Sequence, residues 1–246
     1  MKHYAVIGSP IAHSRSPEIY MGLFEKYGVD ADYSRIEVDI DDLPHFCEIV
    51  KALDGFAVTM PLKRAIIPFL DALDDSAKVC GAVNYVQKAD GRLVGFNTDG
   101  AGLADAIERS GFFLRDKTAL ILGRGGAARA AAYELQRRGC PVTLLVRSRS
   151  SDADLQECVL PDLPRRSDVF INAAPLGMLG KPDFESFDFL DRIDPELVFD
   201  MVYIPGSKTG LVSAAQSRGI LAIDGNSMLL YQALRSFEIM TGIHAE

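Results

Sequence analysis

No apolar run in the sequence approaches the ~18 residues that cross a bilayer, so a membrane span is excluded. A signal peptide is not expected either. Met1-Lys2-His3 leads into only four apolar residues before Gly8. The expected location is therefore cytoplasmic. Positive charge is in deficit: 26 Lys and Arg stand against 34 Asp and Glu, for a net charge of -8. That balance argues against nucleic acid or an anionic membrane as the main partner. An anionic substrate must then be met by a local positive patch. Histidine and cysteine are few. His3, His13, His45 and His244 are scattered, and Cys47, Cys80, Cys140 and Cys158 include no pair with zinc or redox spacing. No metal is expected, and the cysteines read as free buried thiols of a reducing compartment. Internal repeats and low-complexity stretches are lacking too.

What is present is an ordinary globular balance over 246 residues, 48% apolar and 24% charged, enough for one large domain or two small ones. Apolar runs bounded by Gly and Pro predict strands at 4–7, 33–38, 56–59, 83–87, 92–96, 118–122, 142–146, 168–172, 198–202 and 221–223. Helical spacing predicts helices at 17–27, 43–53, 65–70, 74–79, 100–110, 126–138 and 211–218. A last helix, capped by Asn226, is expected to run through Met240. Residues 181–194 read as a loop with a short helix. Asp90-Gly91 marks a hairpin. Strands alternating with helices make the fold class α/β.

Gly123-Arg124-Gly125-Gly126-Ala127-Ala128 fits G-x-G-x-x-A. It follows an apolar strand and opens a helix, the context in which such glycines admit a pyrophosphate to backbone amides at a helix N-terminus. A tight turn without a ligand is the alternative. After the next strand an NAD site usually carries an acid on the ribose. Here Val146-Arg147-Ser148-Arg149-Ser150 has none before Asp152. Arg147, Ser148 and Arg149 suit a 2′-phosphate, since guanidinium forks match phosphate oxygens. They also read as a solvated loop.

The N-terminal half carries polar groups at strand ends. Ser14 and Ser16 stand just before a helix, where hydroxyls serve as carboxylate ligands or as N-caps, the cap being the simpler reading of the two alone. Lys63 lies beyond a strand end and by itself is an ordinary surface lysine. Asn84 and the run Asn97-Thr98-Asp99-Gly100 are equally ambiguous one at a time.

Taken in order, these pieces resemble the shikimate dehydrogenase family over nearly the whole chain. The motifs are Ser-Pro-Ile-Ala-His-Ser-Arg-Ser-Pro at 9–17, Val-Thr-Met-Pro-Leu-Lys at 58–63, Gly-Ala-Val-Asn at 81–84 and Asn-Thr-Asp-Gly-Ala-Gly at 97–102. The Gly-rich turn follows, then Asn-Ala-Ala-Pro-Leu-Gly-Met at 172–178, Asp-Met-Val-Tyr at 200–203, and Met228 with Gln232. The resemblance implies a substrate-binding catalytic domain at 1–100 and 226–246, made discontinuous by a returning C-terminal helix, and a Rossmann-like NADP-binding domain at 101–225. It implies NADP(H)-dependent, reversible reduction of 3-dehydroshikimate to shikimate, a step of chorismate and aromatic amino-acid biosynthesis, by a monomer or homodimer. By resemblance Ser14, Ser16 and Tyr203 hold the substrate carboxylate; Thr59, Asn84, Asp99 and Gln232 hold ring hydroxyls; Lys63 and Asp99 form the catalytic pair. Gly123, Arg124, Gly125, Gly126, Ala127, Arg147, Ser148, Arg149, Ala173, Met201, Gly225 and Met228 border the cofactor. Met228 and Gln232, four apart on a helix, share one face.

The chain departs from the family pattern. Ala57 stands where Asn is usual, with an expected loss of a hydrogen bond on the substrate side. Tyr85 and Ala174 stand where Thr is common, Val146 replaces an Asn, and Arg124 replaces a small residue. Two rival functions follow: a quinate or related cyclitol-acid dehydrogenase, and a sensor that binds NADP(H) without turnover. Ser16, where the quinate group often has Thr, favours shikimate. Lys63 and Asp99 both stand in place, against the sensor.

Overall fold

The structure, a computed structural model, describes every residue except 152–154 and 205, and of Ile49, Lys51 and Pro161 it describes the backbone alone. Asp152 therefore lies outside the described residues. In chain order the first elements are β1 (Lys2–Gly8), α1 (Ser16–Tyr27), β2 (Ala31–Glu37), α2 (Leu43–Ile49), β3 (Gly55–Val58), α3 (Leu62–Ala65), β4 (Ala72–Leu73), α4 (Asp75–Cys80), β5 (Tyr85–Ala89) and β6 (Arg92–Phe96). There follow α5 (Asp99–Arg109), β7 (Ala119–Leu122), α6 (Gly126–Arg137), β8 (Val142–Leu145), β9 (Gln156–Cys158), β10 (Val169–Asn172), α7 (Phe189–Ile193), β11 (Leu197–Asp200), α8 (Gly210–Ser217), β12 (Leu221–Asp224) and α9 (Gly225–Thr241). The chain divides into two compact units, Met1–Thr98 with Gln232–Glu246, and Asp99–Tyr231.

The first unit is built on a six-stranded mixed sheet, ordered β2-β1-β3-β5-β6-β4. β1 runs parallel to β2 and β3, while β5 is antiparallel to β3 and β6. The β5–β6 turn falls on Asp90 and Gly91, both at positive φ (50° and 75°), as a tight twisted hairpin requires. Strand alternation sends Ala5, Ile7, Phe56 and Val58 into one apolar layer with Leu43 and Leu62. The opposite face carries Tyr4, Tyr33 and Tyr85. Phe24 of α1 meets Tyr4 and Phe237, and Tyr4 Oη donates to the Met240 carbonyl at 3.3 Å. The C-terminal part of α9 is thus packed into this unit.

The second unit holds a sheet ordered β12-β11-β10-β7-β8-β9, parallel throughout. Its strands are apolar on both faces, as parallel strands covered by helices must be. Ile121, Leu144, Ile171 and Phe199 enter one core; Leu120, Leu145, Phe170 and Val198 enter the other. From β7 the chain builds outward through β8 and β9, then returns to place β10 on the other side of β7. The order reverses there, and in such sheets ligands bind beyond the carboxyl ends of the strands at that reversal.

Several expectations are corrected. The helix read at 65–70 is instead α3 at Leu62–Ala65; Pro68 keeps an α-helix from running on through 65–70, and a 3₁₀ turn, Ile67–Phe69, follows. Asn226 is not the cap of the last helix. It lies within α9, and Asp224 accepts from the Asn226 N–H at 3.0 Å, a carboxylate doing the capping. Of the four free cysteines, Cys47 is only partly buried.

Candidate active site

In the second unit the Gly-rich turn joins β7 to α6 at the sheet's reversal point. Gly123 has φ of +119°, and a Cβ there would lie 3.4 Å from the Ala173 carbonyl oxygen, so glycine fits best. Gly125 is the N-cap of α6 and provides no side-chain cap, and no acid occupies the first turn. The first amides of a twelve-residue helix are thus open to an anion. Gly123 N–H donates to the Leu145 carbonyl at 3.0 Å, and Ala173 N–H to that of Leu122 at 3.0 Å, which sets the turn between the loops after β8 and β10.

The basic loop lies beside it. Arg147, Ser148 and Arg149 are exposed. Arg124 reaches over from the turn to the Ser148 carbonyl at 3.5 Å and to Glu157 at 3.3 Å. Arg149 pairs with Asp162 at 3.0 Å, both about half exposed, and no carboxylate among the described residues pairs with Arg147. Glu157, on β9, was invisible in the sequence reading. Its side chain is 4% exposed and also takes the Ser150 N–H at 2.7 Å, so it ties the loop to the turn.

A buried polar network holds the ends of β10 and β11. Asp200 accepts from Asn172 Nδ2 at 2.9 Å, from the Val202 N–H at 3.0 Å and from the Thr209 hydroxyl at 2.6 Å. Burial pushes its carboxyl above the usual range, against these three donors. Asn172 also takes the Ala174 N–H at 3.1 Å. Next door, a Cβ on Gly225 would lie 2.5 Å from the Met201 carbonyl oxygen, so only glycine permits this approach. Met228 packs against the apolar core, and Tyr203 is 44% exposed. Asp99 is the first residue of α5.

In the first unit Ser14 and Ser16 stand at the start of α1. Neither is a standard cap: Arg15 holds the cap position without a side-chain bond, and Ser14 Oγ takes the Ser16 N–H at 3.3 Å. The two hydroxyls are 3.2 Å apart. Arg35, also missed in the sequence, donates twice to the Ser14 carbonyl, at 2.9 and 2.7 Å, and pairs with Glu18, whose carboxyl it holds below the usual range. Thr59 follows β3, and Lys63 is the second residue of α3; both are half-buried.

Asn84 is buried and belongs to a network. It donates to Thr98 Oγ1 at 3.0 Å and to Gln232 Oε1 at 3.4 Å, and accepts from the Thr98 N–H at 2.9 Å. Thr98 Oγ1 is also 3.0 Å from Ser236 Oγ. The fold thus gathers Asn84 and Gln232. Ser236 was not read from the sequence, though it lies one helical turn beyond Gln232.

The sequence profile of the shikimate dehydrogenase substrate-binding domain matches residues 6–86. A shikimate dehydrogenase (NADP(+)) of Pyrococcus abyssi is 38% identical over 256 aligned residues, covering 100% of this chain and 94% of that protein. The chain belongs to the shikimate dehydrogenase family. A Staphylococcus aureus family member, also a shikimate dehydrogenase (NADP(+)), is 37% identical over 99% of this chain and 94% of its own length. The crystal structure of the Thermus thermophilus shikimate 5-dehydrogenase in complex with NADP(H) and shikimate superposes with a TM-score of 0.85 at 30% identity, covering 100% of this chain and 95% of that one.

Ala57 and Tyr85 are paired across β3 and β5, so their side chains share a face. The small Ala57 thus stands beside the large buried ring of Tyr85. The Tyr85 hydroxyl turns away to Gln87 at 2.6 Å, in space that a Cβ on Gly55 would take.

Proposed function

We propose that this chain is an NADP(H)-dependent shikimate dehydrogenase, reversibly reducing 3-dehydroshikimate to shikimate. The observation that carries the reading is full-length identity with NADP-linked shikimate dehydrogenases joined to an uncapped Gly-rich turn beside an acid-poor basic loop. The donor set suits the cofactor. Gly123, Gly125, Gly126 and Ala127 present backbone amides to a pyrophosphate, and Arg124, Arg147, Ser148 and Arg149 present cations and a hydroxyl to a 2′-phosphate. Ala173, Met201, Gly225 and Met228 complete that side. The second unit is then the NADP-binding domain and the first the substrate-binding one.

When bound, NADPH supplies the hydride. The chain's own residues do the rest. Ser14, Ser16 and Tyr203 take the carboxylate, and Thr59, Asn84, Asp99 and Gln232 take the ring hydroxyls. Lys63 donates a proton to the ketone oxygen as negative charge grows there, and accepts it back in the reverse direction. By the family resemblance Asp99 is the second member of the catalytic pair. A cytoplasmic location and a monomer or homodimer go with this reading.

Steady-state rates for shikimate and quinate, each with NADP and NAD, test it. Shikimate with NADP is expected to give the highest kcat/KM, by about tenfold or more over NAD, as a charge-assisted bond is worth roughly 1.5–3 kcal/mol. Arg147→Ala raises the NADP KM and spares NAD; Arg149→Ala does less, since Asp162 already engages that guanidinium. Faster turnover of quinate would move the assignment to the cyclitol-acid enzymes. NADP(H) binding without turnover of either acid would make the chain a sensor.

A further inference from the structure

Among the described residues, one buried side-chain oxygen lacks a hydrogen-bond partner, the hydroxyl of Tyr33. Its neighbours on the same face do not. Tyr4 donates to the Met240 carbonyl and Tyr85 to Gln87. Buried polar groups are paired as a rule, and an exception calls for a cause.

The ring is firmly placed. β2 sets Tyr33 in register with Tyr4, and its ring stacks on Tyr20 at 4.4 Å with planes 8° apart. Tyr20 stands one helical turn beyond Ser16 on α1, so both point to one side of that helix. The Ser16 side chain and the Ala57 backbone lie beside the phenol, close enough to influence its ionisation, yet neither is in hydrogen-bonding geometry. The Ala57 methyl offers the phenol no hydrogen bond.

We propose that Tyr33 is a positioning residue for the carboxylate site, its hydroxyl donating to Ser16 Oγ when Ser14 and Ser16 turn their protons to the substrate. The inference rests on the reading of Ser16 as a carboxylate ligand. A hydroxyl has one proton and two acceptor sites. The Ser14 hydroxyl donates to Ser16 Oγ at 3.2 Å. With both protons on a carboxylate, the acceptor site of Ser16 Oγ that the Ser14 hydroxyl takes is released, and Tyr33 fills it. Burial holds the phenol neutral and therefore a donor. The Tyr33 donor is met only with the carboxylate bound, so the hydroxyl favours binding equally in ground and transition states.

Such an interaction changes KM and leaves kcat alone. Tyr33→Phe removes only the hydroxyl. The expected result is a shikimate KM raised about fivefold to tenfold, the worth of one ordinary hydrogen bond. Both kcat and the NADP KM should stay within about twofold, and Tm should be unchanged or higher. In a Ser16→Ala background the same change should do nothing more, since Tyr33 acts through Ser16. If Ser16→Ala raises KM but Tyr33→Phe does not, the Tyr33 role is wrong and the carboxylate site stands. If Tyr33→Phe lowers Tm, or its effect persists in full without Ser16, its part is structural and the proposal is overturned. If Ser16→Ala itself leaves the shikimate KM unchanged, the carboxylate reading fails and takes this role with it.

Discussion

The role proposed for Lys63 asks two things of a single side chain. Reduction of a ring ketone places negative charge on oxygen, and an ammonium both stabilises that charge and delivers the proton. A lysine that only bound the substrate would favour ground and transition states alike. The two roles separate kinetically. Lys63→Ala and Lys63→Met are expected to lower kcat by about 10²–10⁴ with a much smaller change in shikimate KM. NADP affinity, measured by direct titration, should be unaffected. A variant with near-normal kcat and only a raised KM would remove Lys63 from the chemistry. In the sequence, Lys63 was distinguished from other lysines by its place in an ordered set of motifs, since a half-buried lysine carries no local mark of its own.

At the scale of elements, α5 and α6 of the second unit meet closely at Gly100. A Cβ on Gly100 would lie 2.1 Å from the Ala130 carbonyl oxygen and 2.7 Å from its carbon. Backbone cannot yield as a flexible side chain does, so the helices must part. Gly100→Ala is expected to cost roughly 1–3 kcal/mol or more, and to lower Tm by several degrees. Gly22, inside α1, is the contrast, since a Cβ there meets nothing within 4 Å. Gly22→Ala should raise Tm slightly by restoring helix propensity. Thermal unfolding of both variants checks the pair, and similar behaviour would refute the packing argument. Long elements were legible because their periodicity is long: α1, α6 and, β9 apart, the strands of the parallel sheet fall within a residue or two of expectation. β4 and β9, of two and three residues, were missed, since so short a strand has no period and only its neighbour in the sheet defines it. Missing β9 also hid Glu157. Arg35 was missed for a related reason. Its partner, the Ser14 carbonyl, is fixed by the pairing of β1 with β2 and by no local pattern.

At the scale of the whole molecule, pH acts through acids shifted in opposite directions. Glu18, Asp75 and Asp191 are held below the usual range, chiefly by hydrogen bonds from Arg35, Lys78 and Arg218. Each binds its proton less readily than in the unfolded chain, so its stabilisation is present at neutral pH and lost as pH falls through the depressed range. Asp200 runs the other way. Burial raises its pKa, so the folded chain takes up that proton more readily than the unfolded one. Its ionised form therefore costs stability at neutral pH, and the cost is relieved as pH falls towards ~3.9, the ordinary value for Asp. Asp200→Asn removes this titration while keeping an acceptor for Asn172 and Val202 and presenting a donor to the Thr209 oxygen. The wild-type Tm minus the variant Tm should accordingly grow more positive between pH 7 and pH 4, whatever its sign at pH 7. Calorimetry of both proteins at pH 7, 6, 5 and 4 reads this directly. The difference cancels the exposed carboxylates, which titrate alike in both chains. A difference that stayed constant across the series would show that Asp200 is not raised, and that its three donors outweigh its burial.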